Sequence, residues 1–291
     1  MKNPLALLFV VLFFALTGAA QTNPDWTAKQ TPFRIADSLY YVGSRDLAVY
    51  LITTPNGHIL INANLQSSPP LIRESVEALH FRWNDIRIVL NGQAHFDHVG
   101  GLAEILRETG ARAFVMEGDA DVVESGGKTD FAFGPEELFP KAHVSRVLHD
   151  GDKISLGGIV LIARKTAGHT RGCTTFTMRT HLPGEPEGKL RNVVIAGGLT
   201  ALPQYQLVDK PGRKASYPGI AADFRKTYAI MRALPCDIYL GAHGSYFNLA
   251  EKLERLPKEG NRVWMDPKGY RKKIDGYETD FKELLDKQVA E

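Results

Sequence analysis

The chain has 291 residues, 44% hydrophobic and 23% charged, with 27 glycines and 16 prolines spread along it. That is enough to bury a core without covalent staples, and it excludes collagen, coiled coil and wholesale disorder. The 35 Lys and Arg against 33 Asp and Glu give a net charge of +2 with no clustered basic stripe, which excludes a nucleic-acid groove, and two cysteines exclude a disulfide scaffold.

Lys2 precedes an apolar run over 5–16 that ends in Thr17-Gly18-Ala19-Ala20. One charge, a short apolar run and small residues predict a cleaved export signal over 1–20, leaving Gln21 as the mature end. The run is too short for a comfortable membrane span, and no Cys follows it to carry a lipid. The expected product is one soluble periplasmic domain over 21–291, with no stable membrane insertion and no nucleic-acid partner. No apolar stripe predicts an obligate interface, so a monomer is expected. An oxidising compartment permits a bridge between Cys173 and Cys236, but two separate buried thiols are preferred.

Residues 38–42, 48–53 and 58–61 are β-rich, and Pro55-Asn56-Gly57 predicts a hairpin turn between the last two. Leu71, Ile72, Val76 and Leu79 recur at helical spacing and predict a helix over 69–80. A buried strand over 86–90 follows, then a helix over 101–110 closed by Gly110, and a strand over 113–116. The stretch 117–143 is polar and irregular, long enough for a functional loop. The second half has strands over 153–155 and 159–165 around Leu156-Gly157-Gly158, then 174–179 and 192–196. A helix over 218–234, a strand over 238–240 and helices over 249–256 and 279–290 complete it. Two strand-rich blocks, each followed by helices, predict an α/β fold: a four-layer αβ/βα sandwich.

The chemistry concentrates in Asn91-Gly92-Gln93-Ala94-His95-Phe96-Asp97-His98-Val99-Gly100-Gly101, directly after the 86–90 strand. In an extended chain Gln93, His95 and Asp97 share one side, and a turn helped by the glycines brings His98 back to them. His95, Asp97 and His98 are good metal ligands, and a merely polar strand end rarely packs them so closely. His169 lies between Gly168 and Gly172, and His243 between Gly241 and Gly244, each just past a strand. Such turns can converge on one edge of a sandwich, where ligands gather. His58, His80, His143, His149 and His181 lack this setting and are read as ordinary.

The 93–98 segment resembles the metal motif of the metallo-β-lactamase superfamily, His-x-His-x-Asp-His, with Gln93 replacing the first His. The run Gly168-His169-Thr170-Arg171-Gly172-Cys173-Thr174-Thr175-Phe176 resembles Gly-His-Thr-x-Gly-Ser-Thr-Thr-Trp of class B β-lactamases, third subclass, as do 51–65, 196–201 and 232–237. The likeness runs from about 33 to 256 and points to the Gln-bearing branch of that subclass. It implies two zinc ions, one held by Gln93, His95 and His169, the other by Asp97, His98 and His243, with a shared hydroxide oriented by Asp97. It also implies a zinc β-lactamase opening penicillins, cephalosporins and carbapenems without a serine nucleophile, with Thr200 as partner of the substrate carboxylate.

Departures from the pattern carry expectations of their own. Gln93 offers a neutral amide oxygen, so the first site should hold zinc more weakly, with a one-zinc form at low metal. Gly198 stands where the subclass often has Ser. Cys173 replaces a Ser and is expected to pack only. Asn62, where the superfamily often has Asp, is expected to fix a histidine tautomer. Ser125, Gly126, Gly127 and Lys128 are candidate substrate contacts. Two competing readings keep the fold: a lactonase or other metallohydrolase of the superfamily, and a non-catalytic metal-binding module.

Overall fold

Strand alternation sorts the apolar residues onto opposite faces and so sets the layers. The structure is a computed structural model that describes residues 23–186 and 188–290. The export signal expected over 1–20 lies outside the described residues. The first sheet follows chain order: β1 (Phe33–Ala36), β2 (Leu39–Tyr41), β3 (Tyr50–Thr54), β4 (Gly57–Ile61), β5 (Ile86–Leu90), β6 (Arg112–Met116) and β7 (Val144–Leu148). Its first four strands are antiparallel, with β3 and β4 joined by the predicted hairpin. From β4 to β7 the pairing is parallel. The segments between parallel strands hold α1 (Pro69–Ala78), α2 (Phe96–Val99), α3 (Leu102–Thr109) and α4 (Ala120–Ser125).

The second sheet contains β8 (Lys153–Leu156), β9 (Ile159–Lys165), β10 (Thr174–His181), β11 (Leu190–Ala196) and β12 (Ile238–Gly241), ordered β12-β11-β10-β9-β8. Only β11 and β12 pair in parallel, and α5 (Ile220–Ala233) lies between them in the chain. The helices α6 (Leu249–Glu259) and α7 (Pro267–Ala290) complete the described chain.

Side-chain direction gives the stacking. In β4, Ile59 and Ile61 enter the larger core, while Leu60 joins Ile72 and Val76 of α1 and Leu102 and Ile105 of α3. In β10, Thr175 faces α5, its Oγ1 3.4 Å from Met231 Sδ. Phe176, in register with Ala163 and Ile195, therefore faces the other sheet. Helices, sheet, sheet, helices: this is the expected αβ/βα sandwich.

Several boundaries differ from expectation for local reasons. The helix predicted over 69–80 stops at Ala78, because His80 takes a φ of 64° that a helix cannot continue through. The irregular stretch 117–143 hides α4, which Gly126 closes in the left-handed region at φ 72°. β7 went unread because its Val147 is 43% exposed at a sheet edge, so its burial does not alternate cleanly. The last helix begins at Pro267 rather than 279. Gly269 and Gly276 blur its period, yet Asp266 Oδ1 accepts the Gly269 N–H at 2.8 Å and caps its first turn. Cys173 and Cys236 are separate thiols, as expected, but only Cys173 is buried; Cys236 is half-buried.

Candidate metal centre

The loop after β5 is pinned by buried side chains before it reaches its first histidine. Asn62 Oδ1 accepts the Gly92 N–H at 3.0 Å, and its Nδ2 donates to Ala48 O at 3.2 Å. Asn62 therefore fixes the loop backbone, not a histidine tautomer, because both ends of its amide are spent on main chain. Asp119 Oδ2 accepts the Ala94 N–H at 3.0 Å. His95 is extended (φ −78°, ψ 150°), and α2 starts at the next residue. The His98 N–H donates to His95 O at 2.9 Å, closing that turn. Gln93, His95 and Asp97 thus do not share one side of an extended chain. Asp97 and His98 both come from the first turn of a short helix.

From there Asp97 and His98 meet His243, which β12 delivers. Asp97 Oδ2 lies 3.3 Å from His98 Nε2 and 3.5 Å from His243 Nε2, and the two Nε2 atoms are 3.1 Å apart. One ligand atom from each of the three lies within 4.8 Å of the others, a spacing that can hold a metal ion. His243 is oriented from behind, its Nδ1 2.8 Å from Asp46 Oδ2, while Asp46 Oδ1 accepts the Ser245 N–H at 3.0 Å.

A second group gathers beside it. Gly168, at φ 136°, makes the turn that projects His169. His169 Nδ1 donates to Thr200 O at 2.7 Å, so its Nε2 is the free acceptor. Its ring stands 4.7 Å from the ring of His95. His95 Nε2 and both amide atoms of Gln93 are buried and, among the described residues, have no hydrogen-bond partner. Leaving such groups unpaired costs about 1–3 kcal/mol each, and a cation held between their lone pairs removes that cost for the acceptors. The donor set of amide oxygen, imidazole and carboxylate suits zinc.

Thr200 joins the site through its carbonyl, which accepts from His169 Nδ1. In the 117–143 stretch, Ser125 Oγ pairs with Thr129 Oγ1 at 3.2 Å and Gly126 closes α4. The stretch approaches the site instead through Phe133, 4.7 Å from the His95 ring, and Asp130, whose Oδ1 is 3.9 Å from His95 Nε2.

Two departures from the family pattern acquire structural reasons. Cys173 does more than pack: its Sγ accepts the Gly198 N–H at 2.9 Å and donates to Gly198 O at 3.1 Å. Burial pushes its thiol up to about 12, so it stays protonated and able to donate. Gly198 is held against His169 so closely that a Cβ there would lie 2.0 Å from Cδ2 and 2.3 Å from Cγ of the imidazole. Serine cannot occupy that position with His169 where it is.

Three anchors escaped the sequence reading. Asp46 sits in a turn with no ligand-like neighbour. Tyr205 donates its hydroxyl to His169 O at 2.7 Å. Asp119 accepts from Thr170 Oγ1 at 2.7 Å and from Gly172 N at 2.8 Å, besides Ala94. It follows Gly118 at the end of β6, the same strand-end glycine signal that marked the histidines.

Burial holds His169 down to about 4, and burial, with the cost of placing a second positive charge beside His169, holds His95 well below the imidazole range, so both are neutral at pH 7 with lone pairs to give a metal. His243 goes the other way. Burial opposes its charge, but hydrogen bonds to Asp46 and Asp97 raise it to about 9. In the metal-free protein a proton on His243 therefore sits between two carboxylates. This has a measurable consequence. A raised pKa contributes stability that is complete below the ordinary 6.5 and lost as pH rises through 9. With chelator present, urea titrations should show up to about 3 kcal/mol lost between pH 6.5 and 9. Asp46→Asn should flatten that limb; an unchanged limb would assign it elsewhere.

Comparison with known proteins gives the family and the fold. The family model of the metallo-β-lactamase superfamily matches residues 45–257. The FEZ-1 metallo-β-lactamase from Legionella gormanii is 42% identical, with a TM-score of 0.85 over 91% of this chain and 98% of that one. The class B3 di-zinc metallo-β-lactamase LRA-12 from an Alaskan soil metagenome is 38% identical, TM-score 0.82, over 91% and 97%. The metallo-β-lactamase GOB-18 from Elizabethkingia meningoseptica is 36% identical, TM-score 0.82, over 91% and 96%. A curated Burkholderia pseudomallei protein named "probable metallo-hydrolase" matches at 28% over 93 residues, so the match spans about a third of each chain (32% of this one and 31% of that one).

Proposed function

This chain belongs to the metallo-β-lactamase superfamily, and from that membership we propose that it is an exported, two-zinc β-lactamase. The observation that carries the reading is the Asp97–His98–His243 cluster, together with the paired His95 and His169 rings 4.7 Å apart and the buried His95 Nε2 and Gln93 amide, which lack other partners among the described residues.

In this reading Gln93 Oε1, His95 Nε2 and His169 Nε2 hold one ion, and Asp97 Oδ2, His98 Nε2 and His243 Nε2 the other. Zinc so held supplies a Lewis acid for the lactam carbonyl and a water acidic enough to attack near neutral pH. The chain's own residues do the rest. Asp46 and the Thr200 carbonyl fix the tautomers of His243 and His169, so that the Nε2 of each is the donor. Asp97 would give Oδ2 to the ion beside His98 and His243 and keep Oδ1 to orient the attacking water and take its proton. Phe133 and Phe96, 5.7 Å apart, wall the approach beside His95. Thr200, part-exposed at the rim, is placed to meet the carboxylate of penicillins, cephalosporins and carbapenems.

The deciding assay is hydrolysis of nitrocefin and meropenem by purified protein. Turnover should vanish with a chelator and return with zinc, and metal analysis should find two equivalents. Turnover of lactones but of neither β-lactam, with zinc bound, would overturn the substrate assignment while leaving the metal site standing. Export is tested separately: amino-terminal sequencing of the periplasmic fraction should begin at Gln21.

Orientation of His243 has its own expected result. Asp46→Ala should lower zinc affinity at the second site about 10- to 100-fold, read by competition with a chromophoric chelator.

A further inference from the structure

On the far side of Tyr246 from the metal centre lies a cleft of about 390 Å³ between α7 and the end of β12. Tyr246 forms part of both places: its ring is 4.9 Å from that of His243, and it also lines the cleft. Phe247 and Tyr277 complete an aromatic wall, with the Tyr277 ring 5.8 Å from Tyr246. Tyr239, only 2% exposed, forms the floor. Its hydroxyl is buried and has no hydrogen-bond partner among the described residues. A phenol so placed lacks an acceptor, and a buried donor without one is costly.

The charge around the cleft has a sign. Lys272, Lys273, Asp266 and Asp280 all line it. Asp266 is engaged, accepting the Gly269 N–H and lying 3.3 Å from Lys252 Nζ. Lys273 donates to Ser245 O at 3.1 Å, which spends one of its three donors. That leaves two lysines against Asp280. Gly276 of α7 lines the cleft and faces open space, since a Cβ there would meet no described atom within 4 Å, so a large side chain at this position has room to fill it.

We propose that this cleft is a second binding site, separate from the metal centre, for a small aromatic carboxylate. The rings of Tyr246, Phe247 and Tyr277 receive the aromatic body, the two lysines the carboxylate, and Tyr239 donates to an acceptor at the inner end. The volume falls in the range of small-molecule sites, about 300–1,000 Å³. Burial holds the Tyr239 hydroxyl well above the usual phenol range, which keeps it a donor at any working pH.

The probe is 6-hydroxy-2-naphthoate, whose ring hydroxyl supplies the inner acceptor, titrated into the protein by calorimetry with the metal first chelated and then with zinc loaded. Saturable, sub-millimolar binding is expected in both states, since the site needs no metal. Tyr239→Phe removes only the donor and should weaken binding about fivefold to tenfold. Gly276→Phe should abolish it by filling the cleft, while Gly276→Ala, adding one methyl in open space, should retain it and controls for folding of α7. Three results would overturn the proposal: no saturable binding, binding that disappears on chelation and so sits on the metal, or binding indifferent to both Tyr239→Phe and Gly276→Phe. None of these bears on whether β-lactams are hydrolysed.

Discussion

Gly198→Ser should strip the first metal site and reduce hydrolysis at least about 100-fold, although serine is the residue that related enzymes often carry there. The cause is steric. A Cβ on residue 198 would fall 2.0 Å from His169 Cδ2, so the imidazole must leave the position in which Thr200 O holds its Nδ1. The backbone cannot yield instead, because Cys173 Sγ clasps both the N–H and the carbonyl of Gly198. Gly198→Ala should do as much damage as Gly198→Ser, since the first carbon added is what collides. Cys173→Ser should do little, because a hydroxyl can accept and donate in the same two directions. Zinc stoichiometry of the purified variants reads the loss directly: one equivalent in place of two. Two equivalents in Gly198→Ala would show that His169 can hold metal from another position.

The second large effect is expected at Asp119. Its carboxylate ties the metal loop after β5 to the turn carrying His169, accepting from Ala94 N, Gly172 N and Thr170 Oγ1. Asp119→Ala leaves three buried donors unpaired at about 1–3 kcal/mol each, partly relieved by entering water. A net loss of about 3–5 kcal/mol follows, about 10 °C in unfolding temperature for a domain of this size. Asp119→Asn should fall between, because its amide oxygen still accepts while its NH2 opposes a backbone N–H. Differential scanning calorimetry of both variants decides it, and a change under 1 °C in the alanine variant would show that the two loops hold each other by other means.

The layers and most elements were legible because burial writes a period into the chain. Ile59, Leu60 and Ile61 alternate between two cores, and Leu71, Ile72, Val76 and Leu79 mark a helix face. The candidate metal-site histidines were legible for a different reason: each follows a strand in a glycine-bearing turn. The supporting residues left no such mark. Asp46 reaches His243 across 197 positions, and Tyr205 reaches His169 across 36, distances over which no local pattern reports contact. Gly198 reads as an absence in the sequence, a lost serine contact. Only the placement of the His169 ring turns that absence into a requirement. The early start of α7 was hidden by the glycines at 269 and 276, both of which line the cleft beside Tyr246.

The candidate ligands are divided between the two sheets. Gln93, His95, Asp97 and His98 follow β5 of the first, whereas His169 joins β9 to β10 and His243 follows β12 of the second. An ion bound there rivets one half of the molecule to the other across their shared edge. Where metal is scarce, unloaded molecules open along that seam more often, and housekeeping proteases cut chains that open. The supply of metal would then govern how long each molecule survives as well as how fast it works, and scarcity would thin the population before it slowed the survivors.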